Sequence, residues 1–289
     1  MRVFVTGASG WIGSAVVPEL LAAGHHVVGL ARSEAAAARV AALGAEVRRG
    51  DLADTAGLVE AAAKSDGVVH LGYHHDFSQM TEAAAQDRAA VDAMSAELVG
   101  KPFLFASGLV GVRFEDERPE SGDHPRVANT AAALALADRG VRVVAVRFAP
   151  TVHGRGDHGF VAELARVARE RGVSAYVGDG SSAWAAVHRS DAARLVRLAL
   201  EGAAAGTAVH AVAEQGVPTR QIAEAIGRGL GVPVESIPAD RAAERLGWIG
   251  GFFAMDLTAS SDQTRTALGW EPIGPTLLED LEAGYYTAG

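Results

Sequence analysis

The chain has 289 residues, 49% of them hydrophobic, and a formal net charge of −9. That length suits one large α/β domain or a domain with a smaller lobe, and the acidic balance argues against a nucleic-acid partner, whose phosphates need a basic face. There is no cysteine, hence no disulfide framework and no thiolate nucleophile or metal ligand; with no basic-then-apolar leader and no apolar run of about 18 residues, a cytoplasmic protein without membrane contact is expected.

Through residue 147, short β-rich runs alternate with longer helical ones. RVFVT (2–6), HVVGL (26–30), AEVRR (45–49), GVVHL (67–71), PFLFA (102–106) and VRVVAVR (141–147) predict strands. They are apolar nearly throughout, as in a parallel sheet covered on both faces. Between them WIGSAVVPELLAAG, SEAAAARVAALG, DTAGLVEAAAKS and a stretch around 78–99 predict helices, with Gly24, Gly44 and Gly140 placed to stop them. The pattern is α/β: a doubly wound parallel-sheet Rossmann fold with a smaller C-terminal substrate lobe.

After 148 the rhythm changes. TVHGRGDHGF predicts a loop, 160–171 a helix, VHRSDAARLVRLALEG a helix, AVHAVA a strand and TRQIAEAIGRGLG a helix stopped by glycine. The expected division is 1–154 with 186–212 for dinucleotide binding, and 155–185 with 213–289 for the lobe. Phe160, Tyr176, Trp184 and Trp248 are candidate pocket walls or simple packing residues.

VTGASGWIG sets Gly7, Gly10 and Gly13 in the first strand–helix turn. A diphosphate there approaches backbone N–H groups that a Cβ would obstruct, and the helix N-terminus adds partial positive charge. Thr6, Ser9, Trp11 and Ile12 complete this stretch as candidate cofactor contacts.

The Gly-x-x-Gly-x-x-Gly spacing resembles the extended short-chain dehydrogenase/reductase superfamily, which includes NAD-dependent epimerases and dehydratases. GDLAD, VVHLG, VRFAPTVHG, WAAVHRSDAARL and LGWEP continue the resemblance along essentially the whole chain. It implies adenine contacts at Asp51 and Leu52, further cofactor contacts at Leu71 and Gly72, and a homodimer through the helices around 78–99 and 123–139. In NAD-selective relatives an acidic residue ends the second strand. Here the end reads GLARS, and Arg32 with Ser33 offers donors suited to a 2′-phosphate, so NADP(H) is the expected cofactor.

Reductases of this superfamily use a Ser/Thr and a Tyr-x-x-x-Lys. Here no tyrosine lies between the fifth and sixth predicted strands, and none of the four has lysine four residues later. Ser107 supplies a hydroxyl after the fifth strand. Candidate proton donors are Tyr73 and His75 in HLGYHHDF, and His153, which stands where the resembled motif has tyrosine. No metal site is expected. Three functions stay open: an NADPH-dependent reductase of a small carbonyl or related unsaturated compound with a non-standard proton donor, a catalytically silent NADP(H)-binding regulator, and a nucleotide-sugar epimerase or dehydratase.

Overall fold

The computed structural model describes residues 1–74, 80–109 and 125–287. In chain order the described strands and α-helices are β1 (Arg2–Thr6), α1 (Gly13–Ala22), β2 (His26–Ala31), α2 (Glu34–Ala42), β3 (Glu46–Arg49), α3 (Thr55–Ala63), β4 (Gly67–His70), α4 (Met80–Ser95), β5 (Pro102–Gly108), α5 (Pro125–Leu134), β6 (Arg142–Phe148), β7 (Thr151–His153), α6 (Phe160–Arg171), β8 (Ser174–Val177), β9 (Ala183–His188), α7 (Arg189–Gly202), β10 (Thr207–Ala211), β11 (Glu214–Pro218), α8 (Thr219–Leu230), β12 (Val234–Ile237), α9 (Ala242–Leu246), α10 (Ile249–Phe253), α11 (Asp262–Leu268) and α12 (Leu277–Glu282). Two compact units result: Met1–Arg147 with Ala192–His210 and Asp262–Trp270, and Phe148–Asp191 with Ala211–Ser261 and Glu271–Gly289.

The first unit is built on a seven-stranded sheet ordered β10-β6-β5-β4-β1-β2-β3. The pairs β1·β2, β1·β4, β2·β3 and β4·β5 are parallel. Strand order reverses at β1, and in such sheets ligands bind beyond the carboxyl ends of the strands at that reversal. The apolar runs explain the burial: Val3, Phe4 and Val5 of β1, Val68 and Val69 of β4, and Phe103 and Leu104 of β5 have no solvent exposure. One core joins Phe4, Val28, Val68, Phe103 and Val143 of the sheet to Leu58 of α3 and Ala90, Val91 and Met94 of α4. That apolar face of α4 therefore lies in the core. Among the described residues no helix is long and apolar enough to cross a membrane.

The second unit holds a three-stranded sheet ordered β11-β9-β7 and a two-stranded one of β12 and β8. Here the structure corrects the expected loop at 151–160. Thr151–His153 forms β7, parallel to β9 with Thr151 opposite Ala186 and His153 opposite His188. Val187 and His188, expected in a helix, close β9, and α7 starts at Arg189. β9 thus groups with 148–154 in the second unit. Residues 262–270 return to the first, where Thr264 Oγ1 accepts from the His210 N–H at 2.8 Å.

Residues 273–286 are tied back by side chains far away in sequence. Asp191 accepts from the Ile273 and Gly274 N–H groups at 3.1 and 2.7 Å, and Glu214 accepts from the Leu277 N–H at 2.8 Å. His153 Nδ1 lies 2.6 Å from Asp280 Oδ2, and the Tyr286 hydroxyl donates to Asp157 at 2.9 Å. A capping box between Thr276 and Glu279 fixes the start of α12 inside this clasp.

Candidate active site

The turn after β1 is shaped by three glycines for different reasons. Gly7 has φ +67°, and a Cβ there would lie 2.7 Å from both the Gly72 nitrogen and the Leu71 carbonyl carbon, so the turn sits directly against the end of β4. A Cβ on Gly13 would run into the Gly7 carbonyl and stand 2.9 Å from the Ala8 Cα. Gly10 is different. It is exposed, its N–H donates to the Gly7 carbonyl at 2.9 Å, and a Cβ would meet only that carbonyl oxygen, at 3.1 Å. Internal packing explains Gly7 and Gly13; the open side of Gly10 is where a ligand's approach would need the missing side chain. The helix that follows begins at Ile12 with no side-chain cap. Ile12 offers no side-chain acceptor there; the Ser14 N–H donates to the Gly10 carbonyl and the Ala15 and Val16 N–H groups to the Ile12 carbonyl, and the positive end of the helix dipole suits a diphosphate. These residues fit a dinucleotide.

Ser9, Trp11 and Ile12 lie along this turn, each partly accessible. Thr6 does not face it with its side chain. Its hydroxyl is fully buried, 2.7 Å from His70 Nδ1, and accepts from the Gly72 N–H at 3.0 Å. Thr6 therefore shapes the cradle by tying β1 to the end of β4. Leu52 reaches the same place, its Cδ1 3.1 Å from where a Gly72 Cβ would stand, and Leu71 donates its N–H to the Thr6 carbonyl at 3.2 Å. The structure thus brings Thr6, Gly7, Leu52, Leu71 and Gly72 together.

At the end of β2, Arg32 is largely exposed, its Nε 3.9 Å from Asp51. Ser33 caps α2, accepting from the Ala36 N–H at 3.2 Å, which leaves its own proton available to a phosphate oxygen. Asp51 accepts from the Ala53 N–H at 2.9 Å, while the cap of α3 is Asp54, bonded to the Gly57 N–H at 2.9 Å. Asp51 is thus not the helix cap.

Next to β1 in the sheet, β4 and β5 deliver the polar residues. Ser107 and Thr130 hydroxyls are 2.8 Å apart, and Thr130 also donates to the Arg126 carbonyl at 2.9 Å. A hydroxyl has one proton. With Thr130's directed to that carbonyl, Ser107 donates to Thr130 and turns lone pairs, not a proton, toward any substrate. Tyr73 follows β4, and the Arg126 guanidinium carbon stands 4.2 Å from the centre of its ring. Burial holds the Tyr73 phenol above its ordinary pKa against the opposing pull of Arg126, so it keeps its proton at neutral pH. Behind them runs a partly buried polar chain. His70 Nε2 is 3.3 Å from Asp87 Oδ1, and the Asn129 amide donates to Asp87 Oδ2 at 3.3 Å and to the Ala84 carbonyl at 2.7 Å.

The NAD-dependent epimerase/dehydratase family model matches residues 3–102. An uncharacterized protein of Saccharomyces cerevisiae is 45% identical over 295 residues, covering 99% of both chains. The 3-diazoavenalumate denitrifying reductase of a Streptomyces species is 30% identical over 312 residues, covering 97% of this chain and 99% of the relative. The chain belongs to the NAD-dependent epimerase/dehydratase family. Among solved structures, dTDP-glucose 4,6-dehydratase of Streptomyces venezuelae, with NAD and TYD bound, superposes with a TM-score of 0.75 at 20% identity, covering 99% of this chain and 96% of that one. The doubly wound Rossmann fold expected of the extended short-chain dehydrogenase/reductase superfamily is the fold observed, and membership places the chain among enzymes of oxidoreductase and epimerase type.

Two of the expected donors are not among these described residues. His75 lies outside the described residues. His153 is fully buried in β7 of the second unit, hydrogen-bonded to Asp280, with Glu214 3.8 Å from its other nitrogen. Burial lowers its pKa, which keeps the ring neutral. The neutral ring's one proton sits on Nδ1, directed to the Asp280 carboxylate. Trp184 is likewise wholly buried, edge-on to Phe253 at 5.1 Å, and is core rather than pocket wall. Trp248 is partly exposed and donates to Glu163 at 3.1 Å. The residues that sequence reasoning passed over are Arg126, Thr130, Asp87 and the bonding of His70. For Arg126 and Thr130 a signal existed: they are four residues apart on a helix, the same spacing as the missing pair.

Proposed function

We propose that the protein is an NADPH-dependent oxidoreductase that transfers hydride to a small carbonyl or related unsaturated compound without a Tyr–Lys pair. What carries this reading is the adjacency of three strands: the glycine cradle after β1 abuts the end of β4, where Tyr73 follows, and Ser107 closes β5 beside it. Reductase names recur among the relatives, including the 2-alkyl-3-oxoalkanoate reductase of Stenotrophomonas maltophilia, 29% identical over 275 residues. When bound, the dinucleotide would supply the hydride. Gly7, Gly10, Gly13 and the start of α1 would hold its diphosphate, Asp51 and Leu52 would border its adenine side, and Arg32 with Ser33 would hold a 2′-phosphate. Tyr73, holding its proton, is the donor this reading favours.

The test follows cofactor absorbance with NADPH and a panel of aldehydes, ketones, imines and enones. Turnover of at least one class is expected, falling by about 10²-fold or more in Tyr73→Phe if the phenol is the acid. Unchanged turnover in that variant would move the proton to solvent or another group. Tight NADPH binding with no turnover across the panel would favour the second reading, a silent NADP(H)-dependent regulator, which the missing Tyr–Lys pair supports.

Cofactor choice is tested separately. Arg32→Glu is expected to weaken NADPH binding by about tenfold or more, because a carboxylate would repel the 2′-phosphate, while leaving NADH binding within a few-fold. Fluorescence titration reads both. NADH binding as tightly as NADPH to the native protein would remove the assignment.

A further inference from the structure

Helix α5 lacks the tyrosine and lysine of its family, yet it brings a cation to the same edge. Arg126 and Thr130 share one helix face four residues apart, and Thr130 is hydrogen-bonded to Ser107 at the end of β5. The Arg126 guanidinium lies over the Tyr73 ring at 4.2 Å, so its position is set from the end of β4 as well. The side chain is half-buried, and burial lowers its pKa while Tyr73 and Asp87 oppose that. A guanidinium nevertheless stays charged throughout the neutral range. Nearby, one Asp87 carboxylate oxygen faces His70 and the other accepts from Asn129. Ser107, its proton directed to Thr130, cannot donate to a substrate oxygen unless the pair reorganises. A developing negative charge at this edge needs another donor, and Arg126 has five N–H groups.

We propose that Arg126 is the electrophilic catalytic residue of this site, receiving the negative charge that hydride addition places on the substrate. This rests on the reductase reading above. In the step, hydride and its electron pair add to the carbonyl carbon, the π pair of the C=O bond moves onto oxygen, and the resulting alkoxide is held by the guanidinium. The alkoxide then takes a proton from the Tyr73 phenol or from water. A bound nicotinamide would supply the two electrons that the carbonyl gains. The arrangement divides between two residues what a Tyr–Lys pair does together: Arg126 supplies charge and cannot supply the proton.

The experiment compares native protein with Arg126→Lys and Arg126→Met, each checked for a native thermal melt and for NADPH affinity. With a substrate from the carbonyl panel, Arg126→Met is expected to lose about 10²–10³-fold in kcat, the cost of removing one donor to a developing oxyanion. Arg126→Lys should retain part of the rate, NADPH affinity should stay within threefold, and millimolar guanidinium should restore at least tenfold to Arg126→Met. Arg126→Met turning over within threefold of native protein, with normal NADPH binding, overturns the proposal. A second arm needs no turnover: formate, a planar anion, is titrated into native protein while the Arg126 Nε–H NMR resonance, assigned by its loss in Arg126→Lys, is followed. A saturable shift is expected, and its absence overturns the proposal even where a variant fails to fold. Silence of the native protein across the whole panel removes the reductase reading instead, leaving the formate arm to decide whether Arg126 is an anion-receiving group.

Discussion

Gly13→Ala is expected to abolish NADPH binding and to destabilise the fold by about 1–3 kcal/mol or more, because the new methyl meets backbone rather than a movable side chain. The Gly7 carbonyl oxygen, the Gly7 carbon at 2.8 Å and the Ala8 Cα at 2.9 Å all stand in its way. Relief would require the β1–α1 turn to open, and that turn is also held against the end of β4 through Gly7. Gly10→Ala is the informative comparison. Its methyl would project toward the exposed side with only one tight contact, so the fold should melt within a few degrees of native while NADPH binding falls by about tenfold or more. Thermal melting and cofactor fluorescence together separate the two cases. A Gly10→Ala protein that binds NADPH normally would show that the diphosphate does not lie on that turn.

Asp280→Ala is expected to cost about 1–3 kcal/mol, the penalty for leaving the N–H of a buried neutral imidazole without its acceptor. Asp280 is 2% exposed and His153 wholly buried, so neither can turn to water when its partner goes. The loss should appear as a drop in unfolding midpoint with no direct change at the Arg126 edge, which belongs to the first unit. A pH effect accompanies it. Burial depresses the folded-state pKa of His153 below its unfolded value near 6.5, so the unfolded chain binds a proton more readily than the native one. This group therefore contributes stability above about pH 6.5 that is lost as the pH falls below it. Glu214 and Asp157 are shifted the other way by burial, and protonating them on acidification offsets part of the loss, in a more acidic window set by carboxylates. Denaturant melts between pH 7.5 and 5.5 should show stability declining, and His153→Gln should flatten that decline. A native protein more stable at pH 5.5 than at 7.5 would contradict this account.

The sheet of the first unit was legible because its strands are apolar runs punctuated by glycine, and Gly24, Gly44 and Gly140 indeed adopt positive φ. β7 was not: three residues between Pro150 and Gly154 are too few for any alternation to register. The glycine turn is local and could be read directly. The polar edge could not, because a search for tyrosine and lysine returns only their absence, and absence does not point to Arg126. The contacts that give Arg126 meaning come from elsewhere: Tyr73 lies across the ring contact, and Asp87 is joined to Asn129 over 42 positions. His153 shows the same dependence on distant residues: its place in a family-like motif suggested the crevice, and its hydrogen-bond partner, Asp280, lies 127 residues downstream.

That distance has a bearing on how the molecule is made. Ribosomes deliver residues 153, 157, 191 and 214 long before 273–286, and until the latter emerge the second unit holds Asp157, Asp191 and Glu214 without their Tyr286, Gly274 and Leu277 partners. Closure across such separations is entropically slow. A nascent chain stalled near residue 270 should accordingly expose an unfinished second unit to proteases while the sheet of the first is already protected.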